Sequence, residues 1–225
     1  MTQISVVIPA AGAGKRMKSY GPKPLIKVGN STIINSQIAT IKSHVPNSEI
    51  VLVCGFRADK LMAETPDNII KIENEFYEDT NVVRSIGMGL RASGNASVVL
   101  VVYGDLVFNS EAISSLVFDC SCIIIDQETM ADEEVGCIVD EDGSLQNIMY
   151  DLPNKWGQIA VFVGEELSML KRLCWDKKNY KKFGFEVINS IVDKGGRFKC
   201  IRNEDIKVID IDNSKDIKRA SKVLL

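Results

Sequence analysis

The sequence predicts an α/β fold, a mostly parallel sheet covered by helices on both faces. Two observations carry that expectation. Apolar runs of strand length alternate with amphipathic stretches through the first half of the chain, in the order β-α-β-α-β-α-β. Those runs are apolar at nearly every position, the pattern of strands buried on both sides.

The elements follow in order. Ile4–Ile8 reads as a buried strand that leads into a glycine-rich turn. Ile33, Ile34, Ile38 and Ile41 recur at helical spacing. Glu49–Cys54 is a second strand, Arg57–Ala63 a short helix ending before Pro66, and Asn68–Ile72 a third strand. Val82–Leu90 suits a helix with Asn81 as its N-cap. Ser97–Tyr103 is a strongly apolar strand that stops at Gly104-Asp105. The four runs with the least polar interruption are expected as central strands.

The pattern then changes. A short helix near Ser110–Val117 precedes an apolar strand, Ser121–Ile125. Val135–Val139 and Leu145–Tyr150 flank Glu141-Asp142-Gly143 as a β-hairpin. Gly157–Val163 is a further strand, followed by helices at about Glu165–Leu173 and Phe183–Asp193. Arg197–Ile201 and Lys207–Ile211 are short strands, and Ser214–Val223 closes as a helix. No linker or repeat interrupts the chain, so 1–225 reads as one domain whose later strands join the sheet of the first half.

Composition narrows the function. A formal charge of −3 over 225 residues disfavours nucleic-acid or membrane-surface binding. No apolar run reaches the roughly 18 residues of a membrane span, and MTQISVVIPA lacks a basic leader, so a cytoplasmic protein is expected. The six cysteines form no CxxC pair and read as small buried hydrophobes of a reducing compartment, with Cys120 and Cys122 expected on one face of a strand. The one histidine, His44, falls near a helix end as a surface or cap residue, which disfavours acyl-transfer chemistry.

The stretch IPAAGAGKRM, Ile8 to Met17, invites three readings. A P-loop needs G-x-x-x-x-G-K-[ST], but Pro9 stands at the first glycine and Arg16 at the hydroxyl. A dinucleotide fingerprint needs a third glycine where Met17 stands. The third reading rests on the longer segment AAGAGKRMKSYGPKPLIKVGNSTII, which joins A-A-G-x-G-x-R-M to K-P-L-x-K-V. It resembles the start of the sugar-phosphate and phosphocholine nucleotidyltransferases. FYEDTNVVRSIG (Phe76–Gly87), VVYGDLVF (Val101–Phe108) and VIDIDNSKDIKRA (Val208–Ala220) are similar to later segments of that family and occur in its order, with Asp210 in place of a glutamate.

The resemblance implies a three-layer Rossmann-like fold of the nucleotide-diphospho-sugar transferase type, with a mixed, mostly parallel central sheet. It divides the chain into a nucleotide-binding half, about 1–118, and an acceptor-binding half, about 119–225. It implies a transfer in which a phosphate or phosphonate oxygen attacks the α-phosphorus of a nucleoside triphosphate, CTP in first place, and releases pyrophosphate. Ala10, Ala11, Gly12, Ala13, Gly14 and Lys15 are then expected to wrap the nucleotide, with Asn81, Ser85, Tyr103 and Gly104 near base or sugar. Arg16 is expected on the β- and γ-phosphates, and Lys23 between the attacking phosphate and the α-phosphate. Asp105, at the carboxyl end of the most apolar strand, and Asp212 are the expected Mg²⁺ ligands. Strand alternation puts Asp210 on the same side as Asp212.

The small acceptor is open at this point. Tyr150, Asp151, Trp156, Phe185 and Glu186 suit a quaternary ammonium, as in phosphocholine. Asn154, Gln158, Glu186 and Asn189 suit a sugar phosphate. The rival activities are a metal-dependent glycosyltransferase of related fold, against which Gly104-Asp105-Leu106 lacks the second aspartate of D-x-D, and a non-catalytic nucleotide-binding module.

Overall fold

The first strand, β1 (Ile4–Ala10), carries Val6, Val7 and Ile8 with no exposed surface, as its unbroken apolar run requires. The structure is a computed structural model and describes residues 3–14, 21–126 and 134–223. A 3-10 turn at Lys23–Leu25 leads into a small hairpin, β2 (Lys27–Val28) and β3 (Ser31–Thr32). Helix α1 (Ile33–His44) follows, with Thr32 Oγ1 accepting from the Asn35 N–H. Then come β4 (Glu49–Cys54), α2 (Ala58–Ala63), β5 (Ile70–Glu73) and α3 (Val82–Ala92). The central part continues with β6 (Val98–Val102), β7 (Leu106–Phe108), α4 (Glu111–Ser114) and β8 (Cys122–Asp126). The hairpin β9 (Val135–Val139) and β10 (Leu145–Tyr150) precedes the long strand β11 (Asn154–Val163). The chain closes with α5 (Gly164–Trp175), α6 (Gly184–Val192), β12 (Lys199–Arg202), β13 (Val208–Asp210) and α7 (Ser214–Ala220).

Among the described residues, nine strands form one sheet in the order β10-β9-β11-β6-β1-β4-β5, with β8 beside β11 and β12 beside β8. The pairs β6–β1, β1–β4, β4–β5 and β12–β8 are parallel, whereas β11 runs against β6, β8 and β9. With β9–β10 also antiparallel, only β10 and β11 oppose the common direction. This is the mixed, mostly parallel sheet expected from the sequence.

Both faces are covered. Ile8, Leu52 and Leu100 pack with Ile34, Ile38 and Ile41 of α1 and Leu61 of α2. On the opposite face Val7, Val53 and Val99 pack with Val83, Ile86 and Leu90 of α3 and with α5 and α6 through Leu170 and Ile188.

Four departures from the sequence expectation matter. First, the last strand does not join the large sheet: among the described residues β13 pairs only with β7, in a two-stranded sheet of its own. A separate cluster of Ile26, Val28, Ile33, Val107, Ile209, Ile211 and Ala220 supports it. Second, β5 lies at the edge of the sheet, where its interruption by Lys71 is tolerated. Third, Cys120 precedes β8 and is exposed, so it does not share a face with the buried Cys122. Fourth, β11 is irregular between Trp156 and Ala160, where Gln158 adopts φ 54°.

Candidate active site

The site forms at the carboxyl ends of β1 and β6, the edge where open α/β sheets gather ligands. A cleft of about 720 Å³ lies there, lined by Pro9, Ala11 and Gly12 on one side and by Tyr150, Asp151, Phe183 and Phe185 on another. Asp105, Asp210 and Asp212 also line it.

Pairing of β7 with β13 brings the distant acidic segments together. Asp210 lies opposite Leu106, and the Ile211 N–H donates to the Asp105 carbonyl at 3.1 Å. Asp105 and Asp212 therefore arrive side by side. Lys23, from the 3-10 turn, reaches between them, its Nζ 2.6 Å from Asp212 Oδ1 and 3.2 Å from Asp105 Oδ2. Burial lowers the Lys23 pKa, but the carboxylates of Asp105, Asp210 and Asp212 outweigh it and hold the ammonium above its ordinary value. Burial, and then the charges of Asp105 and Asp212, push the Asp210 carboxyl up to about 8. Gln158 Nε2 donates to Asp210 Oδ2 at 3.1 Å, and Asp210 Oδ1 is buried with no hydrogen-bond partner among the described residues.

Asp212 is not the helix cap. Asn213 caps α7, and Asp216 Oδ2 accepts the backbone N–H groups of Asp212 and Asn213, each at 2.9 Å. The Asp212 carboxylate accepts from Lys23 and lines the cleft.

The donor chemistry fits a hard divalent cation. Among the described residues no three His, Cys, Asp or Glu side chains form a ready metal cage. Asp105 and Asp212 both contact the Lys23 ammonium, and Asp210 Oδ1, without a hydrogen-bond partner among the described residues, lies in the same cluster. Mg²⁺ is suited to one or two carboxylates with the rest of its shell from water and phosphate.

Of the glycine turn, Ala11 and Gly12 line the cleft, and Ala10, Ala13 and Gly14 do not. Ala10 and Ala11 are buried at the end of β1, and Gly14 has φ 54°, a conformation that glycine adopts without strain. A Cβ on Gly14 would lie 3.0 Å from Lys23 Cγ, so the turn and Lys23 are packed together. Ala13 continues the same turn. Lys15 and Arg16 lie outside the described residues. Gly104 serves close packing: a Cβ there would sit 2.7 Å from Ala10 Cβ, and its N–H donates to the Pro9 carbonyl at 3.1 Å.

Asn81 caps α3 as expected, its Oδ1 accepting the Val82 N–H at 2.8 Å. Asn81 and Ser85 both line the cleft, and Asn74, which the sequence did not single out, donates to Ser85 Oγ at 3.2 Å. Tyr103 lines the cleft from beneath, edge-on to Trp156 with ring centroids 5.9 Å apart.

The acceptor candidates divide. Tyr150 stands edge-on to Phe185 and Phe183 stacks on Phe185, giving an aromatic flank beside Asp151. Tyr150 and Phe183 are 42% and 46% exposed, so this flank is open to a ligand rather than core. Trp156 is buried yet borders the cleft, and its Nε1 finds no acceptor among the described residues. Glu186 does not line the cleft; its carboxylate accepts the Phe183 N–H at 2.7 Å and caps α6. Asn154 donates to the Cys137 carbonyl, and Asn189 brackets both backbone groups of Ile148, so both serve the sheet. Of the polar set only Gln158 lines the cleft.

No histidine or cysteine nucleophile enters the site. His44 is exposed at the end of α1, with Nδ1 3.0 Å from the Thr40 carbonyl. Burial pushes the thiols of Cys54 and Cys174 up to about 12, away from the reactive thiolate.

Comparison with known proteins gives the fold and the family. The CTP:phosphocholine cytidylyltransferase of Streptococcus pneumoniae superposes with a TM-score of 0.78 at 16% identity, over 98% of this chain and 99% of that one. The inositol-1-phosphate CTP transferase of T. maritima gives 0.75 at 18% identity, over 99% and 96%. These likenesses establish the fold, a mixed, mostly parallel sheet of the nucleotide-diphospho-sugar transferase type. In sequence, the chain is 32% identical over 103 residues to 2-C-methyl-D-erythritol 4-phosphate cytidylyltransferase of Citrobacter koseri, covering 45% of this chain and 43% of that protein. It is 34% identical over 108 residues to the bifunctional protein GlmU of a Marinomonas species, covering 47% and 23%. The chain thus spans less than half the length of the curated relatives it matches. Residues 6–179 match the MobA-like NTP transferase domain, which takes in the glycine turn, Lys23, Asp105 and the aromatic flank's Tyr150, and the chain belongs to that family.

Proposed function

We propose that the protein is a Mg²⁺-dependent nucleotidyltransferase that joins a nucleoside triphosphate, CTP in first place, to a small phosphate-bearing acceptor. The observation that carries the reading is Lys23 held between Asp105 and Asp212 beside the glycine turn. An acceptor phosphate oxygen attacks the α-phosphorus; the new P–O bond forms as the bond to the β-phosphate oxygen breaks, and pyrophosphate leaves. Such a transfer needs anions brought together and developing charge neutralised, not a covalent intermediate. Lys23 is suited to hold the attacking and the α-phosphate, once they draw its ammonium from the carboxylates. Asp105 and Asp212 would hold Mg²⁺, which supplies charge neutralisation to the phosphates when bound. The backbone of Ala11 to Gly14 would follow the nucleotide phosphates, with Lys15 and Arg16 completing that grip as the sequence resemblance implies. Asn81, Ser85 and Tyr103 would face the nucleoside. One domain carries both halves in this reading, the acceptor side beginning near residue 119.

The acceptor is a phosphocholine-like cation. The open aromatic flank of Tyr150, Phe183 and Phe185, next to the carboxylate of Asp151, supports a quaternary ammonium. The alternative sugar site loses support, because Asn154 and Asn189 are spent on the sheet. Two neighbours in fold are named as CTP-using enzymes, one of them acting on phosphocholine, and this favours the same pair here.

The test is pyrophosphate release across CTP, UTP, dTTP, GTP and ATP, each with phosphocholine, inositol phosphate and hexose 1-phosphates. Turnover highest with CTP and phosphocholine is expected. Silence with every pair, beside tight nucleotide binding, would leave a non-catalytic nucleotide-binding module. Asp105→Asn is expected to abolish metal-dependent turnover while the protein stays folded.

A further inference from the structure

The strand that delivers Asp210 and Asp212 is held by two buried charged side chains, one of which, Lys155, also borders the cleft. Backbone groups of Lys207 and Ile211 face the β7 side: the Lys207 carbonyl accepts from the Asn109 N–H at 3.2 Å, and the Ile211 N–H donates to the Asp105 carbonyl. Those of Val208 face the opposite way, toward the large sheet. There, among the described residues, they meet no strand. Asp126 Oδ2 accepts the Val208 N–H at 2.9 Å, and Lys155 Nζ donates to the Val208 carbonyl at 3.2 Å. Asp126 and Lys155 are 1% and 6% exposed. They are direct cross-strand partners, Asp126 at the end of β8 and Lys155 near the start of β11. Lys155 also pairs with Glu134 at 3.2 Å. A few residues along β11, Gln158 reaches Asp210 from its left-handed bulge.

We propose that Asp126 and Lys155 are positioning residues that fix the separation and orientation of β13 relative to the large sheet, and so set where Asp210 and Asp212 stand in the cleft. The proposal rests on the reading of Asp105 and Asp212 as divalent-cation ligands. Burying two charges is costly, and here it is offset in part because the two side chains satisfy a backbone N–H and a carbonyl that apolar residues would leave unpaired. What the charges add is direction. They grip the N–H and the carbonyl of one residue from two different strands, with bonds that weaken steeply when distance or angle changes. Supporting groups one shell out from a metal site act in this way.

The test is Mn²⁺ binding to the whole protein without nucleotide, followed by electron paramagnetic resonance, for wild type, Lys155→Met and Lys155→Arg. Lys155→Met is expected to bind Mn²⁺ roughly 10- to 100-fold more weakly, and Lys155→Arg, which can still donate to the Val208 carbonyl, to recover most of the loss. CTP affinity in EDTA should stay close to wild type in Lys155→Arg, which keeps the charge that Lys155 brings to the cleft. Unchanged Mn²⁺ affinity in Lys155→Met overturns the proposal, even if its melting temperature falls. Wild type that binds no Mn²⁺ overturns the metal reading and this proposal with it, so the two failures are distinct. If Lys155→Met does not fold, Lys155→Gln takes its place: weakened Mn²⁺ binding supports the proposal, and wild-type binding overturns it.

Discussion

Replacing Lys23 by methionine should separate the ion cluster from the chemistry. The ammonium lies 2.6 Å from Asp212 and 3.2 Å from Asp105, with side-chain exposures of 12% for the lysine and 43% and 30% for the two acids. At about 3 Å and an effective dielectric near 20, each contact has a gross attraction of about 5 kcal/mol. Lysine desolvation and water around the half-open carboxylates remove most of that. The net loss lies between exposed and buried ion pairs, about 1–3 kcal/mol. For a domain of this size about 1 kcal/mol moves the midpoint by about 2–4 °C, so Lys23→Met in EDTA should melt roughly 2–12 °C lower. Divalent metal should reverse this. The carboxylates no longer share an ammonium, and a ligand at about 100 times its Kd contributes about 2.7 kcal/mol. Thermal denaturation of both proteins in EDTA and in Mg²⁺ is the assay, with pyrophosphate release alongside. The metal-induced rise should be larger in Lys23→Met than in wild type, while turnover stays lost. Equal midpoints in EDTA together with equal rises in Mg²⁺ would refute the coupling of Lys23 to these carboxylates.

Three further outcomes follow from the same geometry. Gly104→Ala puts a methyl 2.7 Å from Ala10 Cβ and 3.2 Å from the Pro9 carbonyl, so overpacking of about 1–3 kcal/mol should lower the melting temperature and slow turnover; a wild-type melt would show that these strand ends have room. Phe185→Ala should raise the KM for phosphocholine several-fold and leave that for CTP nearly unchanged, and an equal rise in both would remove the aromatic flank from acceptor binding. Asp210 is held near 8 against an ordinary value of 3.8, so between those values the folded state binds more protons than the unfolded one. Its contribution to stability in EDTA is therefore full below its ordinary value and lost as pH rises through about 8, and Asp210→Asn should flatten that part of the melting-temperature profile.

The first half of the chain was legible because its strands are buried on both faces. Glu49–Cys54 reads as a strand from its apolar run and is one with the same bounds, and Asn81 caps α3 as its side chain predicts. Lys23, Asp105 and Asp212 were named from separate segments and meet in the fold. What the sequence hid is local geometry set by tertiary contacts. Leu106–Phe108 is too short to show a period, so the β7–β13 sheet had no signal. Gln158 has no residue-type cue for φ 54°; the bulge in β11 imposes it. Glu186 looked like a ligand because it lies among aromatic residues, yet a position three residues after Phe183 makes it a cap. Lys155 and Asp126 flank apolar runs, where charges usually mark the solvated end of a strand, yet both are buried and bonded to β13.

That last pair bears on why the acidic edge is built from two kinds of contact. Alternation already fixes which side of β13 faces what. Ile209 and Ile211 are buried in the small cluster, so a slip by one residue would put them in the cleft and the aspartates in the cluster. A slip by two would keep the faces but push Asp210 into the apolar place of Val208, which is 1% exposed. Apolar packing therefore selects the register. It does not fix the last half-ångström, because burial energy follows area and has no direction. The proposed divalent-cation site, its carboxylates flanking β7 and β13, needs that tolerance, about 0.5 Å. The bonds from Asp126, Lys155 and Gln158 to β13 supply it, one at an N–H, one at a carbonyl and one at the Asp210 carboxylate itself.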